Sequence, residues 1–152
     1  MGLNLSLDYK QFDFKAYAFA SLGGDIVRNY ERYGKLTNRP SYVLDRWRGP
    51  GTSNTTPRVT TAANPNTRFS DFYVEDGSFV RVQNMQLGYN LNNQFLDIES
   101  FRLYVSVNNA LTFTKYKGFD PTTSSGAPIG GGFDQGFYPN PRTFSLGVNI
   151  KF

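Results

Sequence analysis

Arg142-Thr143-Phe144-Ser145-Leu146-Gly147-Val148-Asn149-Ile150-Lys151-Phe152 is the last stretch of the 152-residue sequence, and its pattern decides how the rest is read. Phe144, Leu146, Val148, Ile150 and Phe152 alternate without a break with Thr143, Ser145, Gly147, Asn149 and Lys151, the period of a strand with one apolar and one polar face. A soluble domain rarely leaves so long, regular and aromatic a strand at an edge, because such an edge is a template for aggregation. A transmembrane barrel removes its edges by closing on itself, and its strands carry about 9 to 11 residues of this alternation.

Working outward, composition agrees with membrane strands joined by polar loops. Fourteen Phe and ten Tyr stand beside only 18% charged residues, yet mean hydropathy is −0.46. Only every second residue of a barrel strand has to face lipid, which reconciles many rings with a polar average. The sequence contains no apolar run of about 18 residues, so no transmembrane helix is expected, and a barrel is untouched by that. Met1-Gly2-Leu3-Asn4 leads directly into alternating Leu3, Leu5, Leu7 and Tyr9 with no secretory signal, so the sequence reads as a fragment of an exported protein.

Other function classes fall away on the same inventory. The net charge of +4 is dispersed: Arg46 and Arg48 flank Trp47, Lys115 and Lys117 flank Tyr116, and neither pair extends into a patch that tracks phosphates, so nucleic acid is not an expected partner. With neither Cys nor His in the sequence, disulfides, thiolate metal sites, common zinc sites and histidine base catalysis are excluded. No nucleophile constellation is present; no catalytic, cofactor-binding or metal-ligating residue is assigned, and an enzyme is not expected.

Along the chain, alternation predicts strands over about 2–10, 12–22, 79–91, 101–116 and 142–152, with long loops at 23–69 and 118–141. The first two are separated by almost nothing and predict a tight hairpin. The first long loop holds Pro40, Pro50, Pro57 and Pro65, with a short helix expected over 41–47, where Val43 would meet Trp47. In the third strand Met85, Leu87, Tyr89 and Leu91 face away from Asn84, Gln86, Gly88 and Asn90, but Phe79 to Val82 mixes both characters, which a bulge would explain. Glu75-Asp76-Gly77 reads as the turn before it, and Asn92-Asn93-Gln94 as the turn after. In the fourth, Phe101, Leu103, Val105, Val107, Leu111 and Phe113 share one face. If lipid lies on that side, Arg102, Tyr104, Ser106 and Asn108 face the lumen.

Several motifs have ordinary explanations. Gly130-Gly131-Gly132 lacks the spacing of a phosphate loop and reads as a flexible tip. Asn54-Thr55-Thr56 matches a glycosylation acceptor only by composition. The acidic pairs Glu75 with Asp76 and Asp120 with Asp134 read as turn and loop chemistry rather than paired catalytic carboxylates or a calcium site. Trp47, Tyr104, Tyr116 and Tyr138 could stack on sugars. Tyr116 and Tyr138 are expected in an interfacial girdle and Trp47 as a packing anchor, while Tyr104, on the expected lumen face, stands open between girdle and sugar contact.

Three blocks in order carry a resemblance. They are Phe72-Tyr73-Val74-Glu75-Asp76-Gly77-Ser78-Phe79-Val80-Arg81-Val82-Gln83-Asn84-Met85-Gln86-Leu87-Gly88-Tyr89-Asn90-Leu91, then Phe101-Arg102-Leu103-Tyr104-Val105-Ser106-Val107-Asn108-Asn109-Ala110-Leu111 running on through Tyr116-Lys117-Gly118-Phe119-Asp120-Pro121, then Tyr138-Pro139-Asn140-Pro141-Arg142-Thr143-Phe144. Together with Tyr9-Lys10-Gln11-Phe12-Asp13-Phe14 and Asp45-Arg46-Trp47, the sequence resembles the closing barrel segment of SusC/RagA-type TonB-linked outer-membrane transporters. The resemblance implies an all-β arc of about five antiparallel transmembrane strands with long extracellular loops, in the outer membrane of a Gram-negative bacterium. It implies import of glycans or peptides, a SusD-like surface lipoprotein as lid, and energy from the TonB complex acting through a plug and amino-terminal region not in these residues. It also implies that Phe144, Leu146, Val148, Ile150 and Phe152 are a signal for the barrel-assembly machinery, by strand addition. A porin-like barrel and a secreted β-sandwich that binds carbohydrate are the alternatives; the sandwich would bury one strand face against a second sheet.

Overall fold

The computed structural model describes residues 1–31, 38–62, 65–91, 99–122 and 131–151. Phe152, Gly130 and the turn expected at Asn92-Asn93-Gln94 lie outside them. Eight strands are present among the described residues: β1 Gly2–Tyr9, β2 Phe12–Ser21, β3 Asp25–Arg28, β4 Val74–Asp76, β5 Phe79–Leu91, β6 Ser100–Thr114, β7 Phe133–Asp134 and β8 Thr143–Lys151. Five of them form one antiparallel sheet in the order β1-β2-β5-β6-β8, and the short strands form a second in the order β4-β3-β7.

The large sheet is sorted by the strand period. Its β1–β2 connection is tight because Lys10 takes a positive φ of 54°, so Tyr9 pairs with Phe12 immediately across it. On one face apolar side chains stand opposite apolar ones from strand to strand: Leu7 with Phe14, Phe14 with Leu87, Leu87 with Val105 and Val105 with Leu146. One apolar face therefore runs unbroken across all five strands.

The mixed half of β5 is resolved by the expected bulge. Tyr17 pairs with Asn84 but Ala18 pairs with Val82, leaving Gln83 as the extra residue. That insertion resets the phase, so Val80 and Val82 join Met85 and Leu87 on the apolar face. Phe79 and Arg81 join Asn84 and Gln86 on the polar one. On β6 the same irregularity takes up Asn109 and Ala110, since Val82 pairs with Leu111 and Asn84 with Asn108.

Nothing among the described residues covers the apolar face. Leu146 is 82% exposed, Phe144 69% and Phe113 60%, and the buried apolar residues are Ile26, Tyr73, Phe79, Ala110 and Tyr116 instead. A β-sandwich would gather the first set into its core. Here the few buried apolar groups lie on the polar side and in the loops.

Several expected boundaries shift. β6 ends at Thr114 rather than 116, because the backbone N–H of Tyr116 turns back to the Thr114 hydroxyl at 3.1 Å. β3 and β7 fall inside stretches read as loop, and β4 occupies part of an expected turn; strands of four, two and three residues are too short to show a period. The helix expected over 41–47 is a 3-10 turn, Ser41–Asp45. It stops short of Trp47, whose backbone N–H goes to the Thr56 carbonyl at 2.9 Å.

Candidate functional site

The polar face carries the four side chains expected to line a lumen, and the register shows what each is tied to. Arg102 Nε donates to Asp13 Oδ2 at 2.8 Å and Arg102 Nη2 to Asp13 Oδ1 at 2.5 Å, a bidentate pair that fits a guanidinium to a carboxylate. Asn90 Nδ2 adds a bond to the same carboxylate at 3.1 Å, and the guanidinium carbon sits 5.1 Å from the centre of the Tyr104 ring. Asn84 donates to Asn108 Oδ1 at 2.7 Å, while Ser106 is buried.

Two glycines make this packing possible. Gly88 stands between Asp13 on β2 and Tyr104 on β6; a Cβ there would overlap the Asp13 carboxylate and the Arg102 guanidinium. A Cβ at Gly147 would overlap the Tyr104 ring, which lies across β8. Sequence reading found Arg102 and Tyr104 by alternation but missed Asp13, Gly88 and Gly147.

Where the long loops leave the sheet, a second cluster fastens them. Arg81 is buried; its Nε donates to Thr112 Oγ1 at 3.0 Å, its Nη1 to Thr122 Oγ1 at 3.1 Å and its Nη2 to Asp120 Oδ1 at 2.5 Å. Asp120 Oδ1 also accepts the Thr122 N–H at 2.9 Å and Oδ2 accepts the Asn140 N–H at 3.1 Å. Asp120 thus latches the segment after β6 to the segment before β8, which explains why these two blocks of the sequence belong together.

Burial pushes the Asp120 carboxyl up, but the N–H and hydroxyl of Thr122, the Arg81 guanidinium and the Asn140 N–H outweigh it and hold it below its ordinary value of 3.8. A carboxyl depressed in the fold contributes stability that is fully present above its unfolded value and is lost as pH falls through the folded one. The protection of the Asn140 amide, its exchange rate relative to an unstructured amide at the same pH, is therefore expected to be high at neutral pH and to fall in acid below 3.8. In Asp120→Asn protection should be low throughout; a wild-type amide that stays equally protected in acid contradicts the latch.

A third cluster joins the two long loops to each other. Val27 of β3 pairs with Phe133 of β7 in parallel. Arg28 Nε meets Glu75 Oε1 at 2.9 Å and its Nη1 donates to the Tyr42 hydroxyl at 2.8 Å. Tyr116, expected at the membrane interface, is buried instead, with its phenol donating to Asp134 Oδ2 at 2.6 Å. Burial, then that hydrogen bond, push the phenol far above its ordinary value, so it stays a donor. Asp134 is fully buried and also accepts the Gly136 N–H at 2.8 Å. Tyr138 is 87% exposed. The acidic pairs do not converge as catalytic carboxylates: Glu75 faces Arg28, and Asp76 accepts the Ser78 N–H at 2.9 Å.

No family model matches the chain. A TonB-dependent receptor of Formosa agariphila is 39% identical over 166 residues, covering 100% of this chain and 16% of that protein. The TonB-dependent receptor SusC of Bacteroides thetaiotaomicron is 31% identical over 159 residues, covering 100% of this chain and 15% of that one. Among solved structures, the RagAB peptide transporter superposes with a TM-score of 0.75 at 26% identity, over 99% of this chain and 17% of its own. The chain thus spans about a sixth of the length of the relatives it matches. These relatives are named as receptors and transporters, not enzymes.

Proposed function

The chain belongs to the TonB-dependent receptors of the SusC/RagA type, and on that footing we propose that its five-stranded sheet is a closing arc in the barrel of an outer-membrane transporter. The full-length transporter imports glycans or peptides, takes a SusD-like lipoprotein as its lid, and draws energy from the TonB complex through parts of the protein outside these 152 residues.

The observation that carries this reading is the unbroken apolar face left exposed opposite a hydrogen-bonded polar face. In water such a patch is a liability; against acyl chains it is the required surface. Arg102, Tyr104, Ser106 and Asn108 then line the lumen. The alternating carboxy-terminal residues Phe144, Leu146, Val148, Ile150 and Phe152 serve as the signal for the assembly machinery, and Tyr138 sits at the rim.

The test is fractionation of cells carrying the full-length gene, together with growth of a deletion strain on defined glycans and peptides. Heat-modifiable protein in the outer membrane and loss of growth on one nutrient class are expected. Protein recovered soluble in the periplasm or supernatant would overturn the reading.

A further inference from the structure

We propose that the hollow between Trp47 and Phe72 in the loop joining β3 to β4 is a subsite for an acidic saccharide, one carrying a carboxylate or sulfate. This deepens the transporter reading and rests on it.

The hollow has a volume of about 450 Å³ and is lined by Trp47, Asn54, Thr55, Arg58, Ser70 and Phe72 among others, a size within the range of small-molecule sites. Its floor is fixed: the Trp47 N–H bonds the Thr56 carbonyl at 2.9 Å, and the Ser53 hydroxyl oxygen accepts the Thr56 N–H at 3.1 Å. The two sides are thereby held together without closing the space between them.

The polar groups of this loop divide into two sets. Thr52 accepts the Arg48 N–H at 2.8 Å and Thr60 the Ala62 N–H at 3.2 Å, the local turn bonding usual for such residues. Arg46 and Arg48 likewise donate to backbone carbonyls, of Val43 and Leu44. Among the described residues, part of the lining is bonded, as Ser53 and Asn66 are, but the Asn54 amide, the Thr55 and Ser70 hydroxyls, the Trp47 indole N–H and the exposed Arg58 guanidinium have no side-chain partner.

The chemistry of that free set selects a ligand. A flat indole matches the apolar C–H face of a pyranose, and hydroxyl and amide groups match its hydroxyls. A guanidinium with no carboxylate in the lining calls for an anion it can grip with two parallel N–H groups. An acidic peptide would also use the arginine but would leave the flat indole face without a sugar ring to cover, so preference for triglutamate is the outcome that separates the two.

The test uses the full-length transporter purified in detergent, with calorimetric titration of trigalacturonate, its methyl ester, a sulfated galactose trisaccharide and triglutamate. Binding of trigalacturonate or the sulfated sugar is expected; Arg58→Gln weakens it about tenfold, the scale of one charge-assisted contact. The methyl ester should bind as weakly to wild type as trigalacturonate does to Arg58→Gln, and should lose nothing further in that variant. Trp47→Ala weakens acid and ester alike. The carboxylate and sulfate arms tell the two anion sources apart. Binding of neither acidic sugar, preference for triglutamate, or affinities indifferent to both substitutions would overturn the subsite. Because the titration is done in detergent, its failure is distinct from failure of the transporter to reach the outer membrane.

Discussion

Arginine in place of Val105 is expected to destabilise the folded barrel by about 2–4 kcal/mol, the cost of a cation on the lipid face near mid-bilayer. Val105 stands near the middle of β6, between Leu87 on β5 and Leu146 on β8, and is 43% exposed. On a surface bathed by water the same substitution would stay within about 0.5 kcal/mol, so the size of the effect distinguishes lipid from water as the neighbour. Ser145→Arg, on the polar face of β8, also exposed and opposite Ser106 rather than a charge, is the control and should change little. Urea unfolding from liposomes measures both. Equal, small effects at the two positions would mean that the apolar face does not touch hydrocarbon.

Asp13→Ala should cost about 3 kcal/mol, the lower end of the range for breaking a buried ion pair. The Asp13 side chain is 9% exposed and that of Arg102 19%. Removing the carboxylate strands a guanidinium that Gly88 allows to lie flat against the sheet. Replacing both, as Asp13→Leu with Arg102→Met, should cost less than the single change, because the penalty is the unpaired charge rather than the missing attraction. The same unfolding assay reads it, and a double variant worse than Asp13→Ala would show that the pair is not what holds β2 to β6 across β5.

Why some of this was legible in sequence and some was not follows from separation along the chain. β2, β6 and β8 each show their two faces locally, since every side chain meets one of two environments, and alternation alone places Arg102, Tyr104, Ser106 and Asn108 together. β5 was half legible because Gln83 shifts the phase partway along. The contacts that fasten the loops were hidden. Val27 pairs with Phe133 and Asp13 with Arg102 over separations that no local window spans. Tyr116 beside two lysines reads as an interfacial residue until Asp134, 18 positions on, is seen to bury it. Trp47 reads as a packing anchor for a helix that ends before reaching it. Signals for Gly88 and Gly147 existed, as glycines interrupting polar positions of otherwise regular strands, a pattern that marks close approach by another group.

The most direct measurement is a spin-label scan of residues 101–113 in the full-length protein reconstituted in bilayers, reading collisions with oxygen, which concentrates in lipid, against a water-soluble nickel chelate. Oxygen accessibility should peak at Leu103, Val105, Leu111 and Phe113 and nickel accessibility at Arg102, Tyr104, Asn108 and Thr112. The alternation should hold on both sides of the irregularity at Asn109, where φ is +51°. A flat profile, or nickel reaching Leu103 and Val105 as readily as Arg102 and Tyr104, would contradict a lipid-facing sheet.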